Sequence, residues 1–165
     1  MSPGEAHTID VTLCCPQWRE ACPDVAALVE RAAELTLLQA GAPNAVTIID
    51  VTLTGDAEQR RLNRTWRGKD APTNVLAFPA ADTTPAPLGA PILLGDVVLA
   101  FETVSREAAE QEKPLADHLR HLVVHGVLHL LGHDHENARD ATAMEAKEIA
   151  ILAGLGVPNP YGDTM

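Results

Sequence analysis

Four of the chain's seven histidines fall in one eleven-residue run, His125-Gly126-Val127-Leu128-His129-Leu130-Leu131-Gly132-His133-Asp134-His135. Residues four apart on a helix lie one turn apart on the same face, so His125 and His129 can reach a common ion. Zinc sits about 2.0–2.1 Å from each imidazole nitrogen and needs a third donor from elsewhere. His121 shares the face, but three ligands at successive four-residue steps would span roughly 12 Å of helix axis, too far for one ion. The helix must therefore stop and the chain fold back. Gly132 suits that stop, because glycine accepts the left-handed conformation that ends helices. His135 is then placed to close the site. The expectation is one zinc ion per chain, held by His125, His129 and His135, with the fourth position left open as in a catalytic rather than a structural site. Three neutral imidazoles also suit nickel, copper or iron. His133 is expected at the edge of the site. Asp134 reads either as a residue that orients a ligand or as a solvated turn residue. His7, His118 and His121 read as ordinary surface or hydrogen-bonded histidines.

The spacing also fits the metzincin peptidase signature, His-Glu-x-x-His-x-x-Gly-x-x-His. Here Gly126 occupies the glutamate position. That glutamate is the peptidase's general base, so its absence leaves the metal geometry and removes the peptidase chemistry.

The same run resembles the hallmark of the YbeY family of endoribonucleases, the bacterial rRNA maturation factors, with His133 where that family usually has tyrosine. The resemblance extends to Leu62-Asn63-Arg64-Thr65-Trp66-Arg67-Gly68-Lys69-Asp70, with Trp66 where tyrosine is common, and to Pro72-Thr73-Asn74-Val75-Leu76-Ala77-Phe78. Leu94-Gly95-Asp96-Val97-Val98 and Asn159-Pro160-Tyr161 fit as well. The resemblance implies a metal-dependent hydrolase of single-stranded RNA, acting in maturation of the 16S rRNA 3′ end and in ribosome quality control. It also implies that Arg67 lies in the cleft facing the metal and is needed for activity.

The chemistry agrees. Phosphodiester cleavage builds negative charge on the phosphorane oxygens, and a planar guanidinium can contact two of them. The nucleophile is either a metal-bound water, its pKa lowered towards ~7, or a metal-activated ribose 2′-hydroxyl. Arg60, Arg61, Arg64, Arg67 and Lys69 put five of the twelve basic residues in one short stretch. Lys69 and Arg64 are the expected RNA contacts, with a solvated helix face as the competing reading for Arg60, Arg61 and Arg64. The expected partners are the 16S rRNA precursor and the ribosome or its small subunit, with no membrane and no DNA. A metallopeptidase-like hydrolase and a non-catalytic ribosome assembly factor are the alternatives.

These residues need a scaffold, and 165 residues allow one domain, 1–165, with a real core. Aromatics make up only 3%, so aliphatic side chains must build the interior. The sequence predicts strands over Ile9–Cys15, Val46–Leu53, Asn74–Phe78 and Leu93–Leu99, the last interrupted at Gly95-Asp96. Helices are predicted over Val25–Gln39, from a capping Asp56 to Trp66, over Glu102–Gln111, over Pro114–Leu131 and over Arg139–Leu155. Residues 79–91 hold four prolines and read as a loop. The result is an α+β single domain: a small mixed sheet of about four strands, about five helices and a zincin-like metal-binding helix.

A net charge of −11 argues against nonspecific nucleic-acid binding, although the basic stretch keeps a local RNA path open. Cys14, Cys15 and Cys22 match no metal pattern and are expected as reduced thiols in the core. With no signal peptide and no membrane span visible, a cytoplasmic protein is expected.

Overall fold

The computed structural model describes residues 7–40, 46–80, 91–133 and 137–161. Within them lie strands β1 (Thr8–Leu13), β2 (Thr47–Thr54), β3 (Val75–Pro79) and β4 (Ile92–Ala100), forming one sheet in the order β1-β2-β4-β3. β1, β2 and β4 run parallel, and β3 lies antiparallel to β4 at the edge. The helices are α1 (Gln17–Ala21), α2 (Val25–Gln39), α3 (Asp56–Arg67), α4 (Phe101–Glu110), α5 (Leu115–Leu130) and α6 (Ala138–Gly154). The α+β class and the four strands are as the sequence predicts. The helix beyond the expected five is α1, a single turn around Trp18 whose length is too short for a periodic signal.

Trp18 compensates for the scarcity of aromatics. It is fully buried, donates its indole N–H to the Thr54 carbonyl at 2.9 Å, and meets Phe101 edge-on with ring centroids 5.1 Å apart. Elsewhere the core is aliphatic, one cluster that includes Ile49, Val51 and Leu53 of β2, Val97 and Leu99 of β4, and Val29, Ala33 and Leu37 of α2. β4 carries one extra residue: Ile48 pairs with Leu93 and Ile49 with Gly95, so Leu94 bulges at the predicted interruption.

α5 is buried along most of its circumference, through Leu119, Leu122, Val123, Val124, Val127, Leu128 and Leu130. It packs against α2, α4, α6, β3 and β4, so the helix bearing the histidines is the central helix of the fold. Gly126 explains how closely it approaches the sheet. A Cβ there would lie 2.8 Å from Val97 Cγ1 and 3.3 Å from Val97 Cγ2, closer than carbon atoms pack.

One capping assignment is corrected. Asp56 is the first residue of α3, not its cap; Gly55 holds the cap position. The Asp56 N–H is accepted by Glu102 Oε1 at 2.9 Å, while Asp56 Oδ1 accepts from the backbone N–H of Thr103 at 3.1 Å and from its hydroxyl at 2.8 Å. Each acid thus caps the other's helix, α3 and α4, across a pairing 46 residues apart in sequence. Local sequence reading sees the acid at the helix start and misses the exchange.

The cysteines also differ from expectation. All three are free thiols, but only Cys22 is buried, while Cys14 is exposed and Cys15 half-buried because β1 ends at Leu13. Of the proline-rich loop, residues 81–90 lie outside the described residues.

Candidate active site

α5 ends as the glycine predicts. Gly132 has a φ of 98°, its N–H bonds to the His129 carbonyl at 3.0 Å, and the His133 N–H reaches back to the Leu128 carbonyl at 3.0 Å. This paired exit satisfies the last carbonyls and turns the chain off the helix axis. His135 and Asp134 lie outside the described residues. His125 and His129 stand on adjacent turns with ring centroids 4.7 Å apart. Among the described residues no group of three possible metal ligands forms, so the pair is the part of the predicted triad that the structure brings together.

The pair opens into a cleft of about 560 Å³ lined by Trp66, Arg67, Asn74, Val75, Ala77, Phe78, His125, Gly126 and His129. Arg67 and the histidine pair, 58 residues apart in sequence at their nearer ends, therefore share one cavity. Two buried amides of α3 make this possible. Gln59 donates to the carbonyl of Val98 at 2.9 Å and Asn63 to that of Ala71 at 2.8 Å, fastening the helix to β4 and to the loop that follows it. Asn74 is fixed in turn. Its amide nitrogen donates to Glu107 Oε1 at 3.0 Å, and the same oxygen lies 2.9 Å from Nε2 of buried His118.

The basic stretch divides. Arg60 forms a two-pronged pair with Asp70 at 2.7 and 3.0 Å, and Arg61 pairs with Glu58 at 2.8 Å, which raises both guanidinium pKa values and lowers both carboxyls. Both are exposed ion pairs on the face of α3. Arg64 and Lys69 are exposed beside Arg67, but neither lines the cleft. Trp66 is 68% exposed at the cleft, unusual for so large an apolar side chain.

A residue that the sequence reading did not single out completes the picture. Glu148 of α6 is only 1% exposed. Its Oε2 accepts from His125 Nδ1 at 2.7 Å, its Oε1 from His121 Nε2 at 2.8 Å, and Oε1 also accepts a short hydrogen bond from the Tyr161 hydroxyl. Burial alone would raise its pKa, but the bonds from His121, His125 and Tyr161 prevail and bring it down to about 2. Burial and the neighbouring Glu148 push the Tyr161 hydroxyl up. A signal was present: Met144, Glu148, Ile151 and Leu152 form the buried stripe of α6, with a carboxylate at a position spaced for an apolar residue. His121, expected as an ordinary hydrogen-bonded histidine, is bonded as expected, though to the same acid that holds His125.

Fold and cleft define a small α+β protein in which one central helix sets two histidines opposite an arginine of a neighbouring helix. The family model described as Endoribonuclease YbeY matches residues 15–156. A Paramagnetospirillum magneticum protein named Endoribonuclease YbeY is 52% identical over 157 residues, covering 94% of this chain and 96% of its own. Another of that name from Bradyrhizobium diazoefficiens is 49% identical over 169 residues, covering 99% and 90%. A Thermotoga maritima protein determined in solution shares the fold, with a TM-score of 0.58 and 24% identity over 95% of this chain and 97% of its own. The chain belongs to the Endoribonuclease YbeY family.

Proposed function

We propose that this protein is a zinc-dependent endoribonuclease that cuts single-stranded RNA, matures the 3′ end of 16S rRNA in the cytoplasm and takes part in ribosome quality control. The observation that carries the reading is the shared cleft: Arg67 and the His125–His129 pair line one cavity, and the position of a peptidase's base is Gly126. Relatives bearing the name endoribonuclease support the substrate class.

The donor set fits zinc. His125 and His129 stand one turn apart, and the Nδ1 of His125 is committed to Glu148, so Nε2 is the atom it would give to the ion. His135 would be the third ligand. When bound, the ion supplies Lewis acidity for activating a hydroxyl nucleophile, either water or the ribose 2′-hydroxyl. The chain does the rest. Arg67 offers a planar, permanently charged fork to two phosphate oxygens as charge grows on them. Trp66 offers an exposed ring on which an unpaired base stacks, which favours single strands over duplex. Arg64 and Lys69 extend the positive field outside the cleft for the flanking phosphates. The −11 net charge opposes RNA elsewhere on the surface, which suits a substrate presented by the ribosome.

The test is metal analysis of the purified protein followed by cleavage assays on rRNA and on peptides, with His129→Ala and Arg67→Ala as controls. One zinc per chain and rRNA cleavage lost in both variants is the expected result. Activity persisting in both variants exposes a contaminating nuclease, peptide cleavage revives the peptidase reading, and an inert but fully metallated wild type favours an assembly factor.

A further inference from the structure

Among the described residues Glu148 is the only buried acidic or basic side chain apart from the histidine His118. Removing a carboxylate from water costs several kcal/mol unless its oxygens are well bonded, and a buried polar cluster replaced as a whole by apolar residues of similar volume is often no less stabilising. Met144, Ile151 and Leu152 fill the same stripe of α6 with apolar volume, so packing alone gives no reason for an acid there. All of its bonds run to one place. Two histidines of successive turns of α5 and the hydroxyl of Tyr161, beyond the end of α6, converge on its two oxygens.

We propose that Glu148 is the positioning residue of the metal site: by accepting the Nδ1–H of His125 it fixes that ring's tautomer and rotation and directs Nε2 to the ion, with His121 and Tyr161 holding the carboxylate in place. The inference rests on the reading of His125 as a metal ligand. An imidazole whose Nδ1 carries the proton has its lone pair on Nε2, and a carboxylate bonded to that proton makes the lone pair more basic. Each oxygen has a separate task. Among the described residues Oε2 serves His125, whereas Oε1 is anchored by His121 and Tyr161, so the carboxylate cannot rotate away without breaking both anchors. His121 is too far along the helix to share the ion, and the arrangement gives it work: it is the brace of the acid that aims the ligand. Tyr161 ties the segment after α6 to the same point, and its ring meets His121 edge-on at 5.4 Å.

The experiment measures zinc affinity of the full chain by competition with a chromophoric chelator, beside the thermal midpoint of the metal-free protein. Glu148→Gln is expected to bind zinc about 10- to 100-fold more weakly. Glu148→Met should weaken binding at least as much but also lower the metal-free midpoint, because it removes the acceptor of three donors. Glu148→Gln, which keeps an acceptor oxygen, should lose affinity with a much smaller change in midpoint, an outcome that a purely structural acid does not give. Tyr161→Phe, which removes one of the two anchors of Glu148 Oε1, should weaken binding by a smaller factor. Nitrogen-detected NMR of the metal-free wild type supplies a readout that needs no variant: His125 should be the Nδ1–H tautomer. Wild-type affinity in Glu148→Gln and Glu148→Met, or an Nε2–H tautomer at His125, overturns the inference while leaving the metal site standing. A wild type that binds no zinc, or a His129→Ala variant that binds it as tightly, overturns the metal reading and the inference with it.

Discussion

Replacing Gly126 by alanine gives opposite signs according to whether the contact between α5 and the sheet matters. In an exposed helix interior, glycine to alanine stabilises by about 0.8–1.0 kcal/mol, because alanine loses less backbone freedom. Here the new methyl would sit 2.8 Å from Val97 Cγ1, where carbon atoms prefer about 3.5–4.0 Å. Val97 is fully buried and β-branched, so it has no easy alternative rotamer. α5 must therefore lift from β4 by several tenths of an ångström, against neighbours on α2, α4 and α6. Overpacking of this kind costs roughly 1–3 kcal/mol. Subtracting the helix gain leaves a net loss of about 0–2 kcal/mol, which at roughly 2–4 °C per kcal/mol is a fall of up to about 8 °C in the midpoint. Differential scanning calorimetry of the metal-free protein with excess chelator reads the sign directly. A rise of about 2–4 °C, the value for an unhindered site, would refute the close-approach argument. Gly126→Glu carries the same Cβ clash and should lower the midpoint at least as much as Gly126→Ala.

Arg67→Ala should lower kcat on RNA by about 10²–10³ with a much smaller change in KM, as for a donor that acts on transition-state charge; a loss confined to KM would make it a binding residue only. Trp66→Ala should weaken binding of a single-stranded oligonucleotide by about 1–3 kcal/mol with the thermal midpoint unchanged, and equal affinity by fluorescence titration would remove the stacking role. Burial, only partly opposed by the bond to Glu107, holds the His118 pKa below its ordinary 6.5. The unfolded chain then binds the extra proton first, so this contribution is complete above the ordinary value and is lost as pH falls below it. Urea midpoints between about pH 7.5 and 5 should therefore drop less steeply in His118→Gln than in the wild type, and parallel curves would contradict the assignment.

Much of this molecule can be read from its sequence. The ends of the β2, α2, α5 and α6 segments fall within a residue or two of the periodic signal, because each alternates or repeats over enough residues to be unambiguous. The histidine pair and the helix-ending Gly132 were equally plain, since both are consequences of local helix geometry. The rest depends on encounters distant in sequence. Nothing near Asp56 says that its partner is Thr103, and nothing near Glu148 says that His121 and His125 will arrive at it. Gly126 is an intermediate case: the missing glutamate was evident, but the steric reason for it required Val97 of another element.

β3 has one strand neighbour among the described residues, β4, and its other edge borders the cleft. Asn74 accepts from the Ala100 N–H, and Ala80 donates to the Leu94 carbonyl, with one-to-one pairing between them. Antiparallel pairing alternates, so Ala77 turns its N–H and C=O away from β4, towards the open edge. Part of the cleft wall therefore consists of amide groups that every residue but proline carries. Alanine scanning along 75–78 would pass over that part in silence, and sequence drift there could proceed without altering what the wall offers a substrate. Ala77→Pro is the substitution that would remove the N–H and leave only the carbonyl.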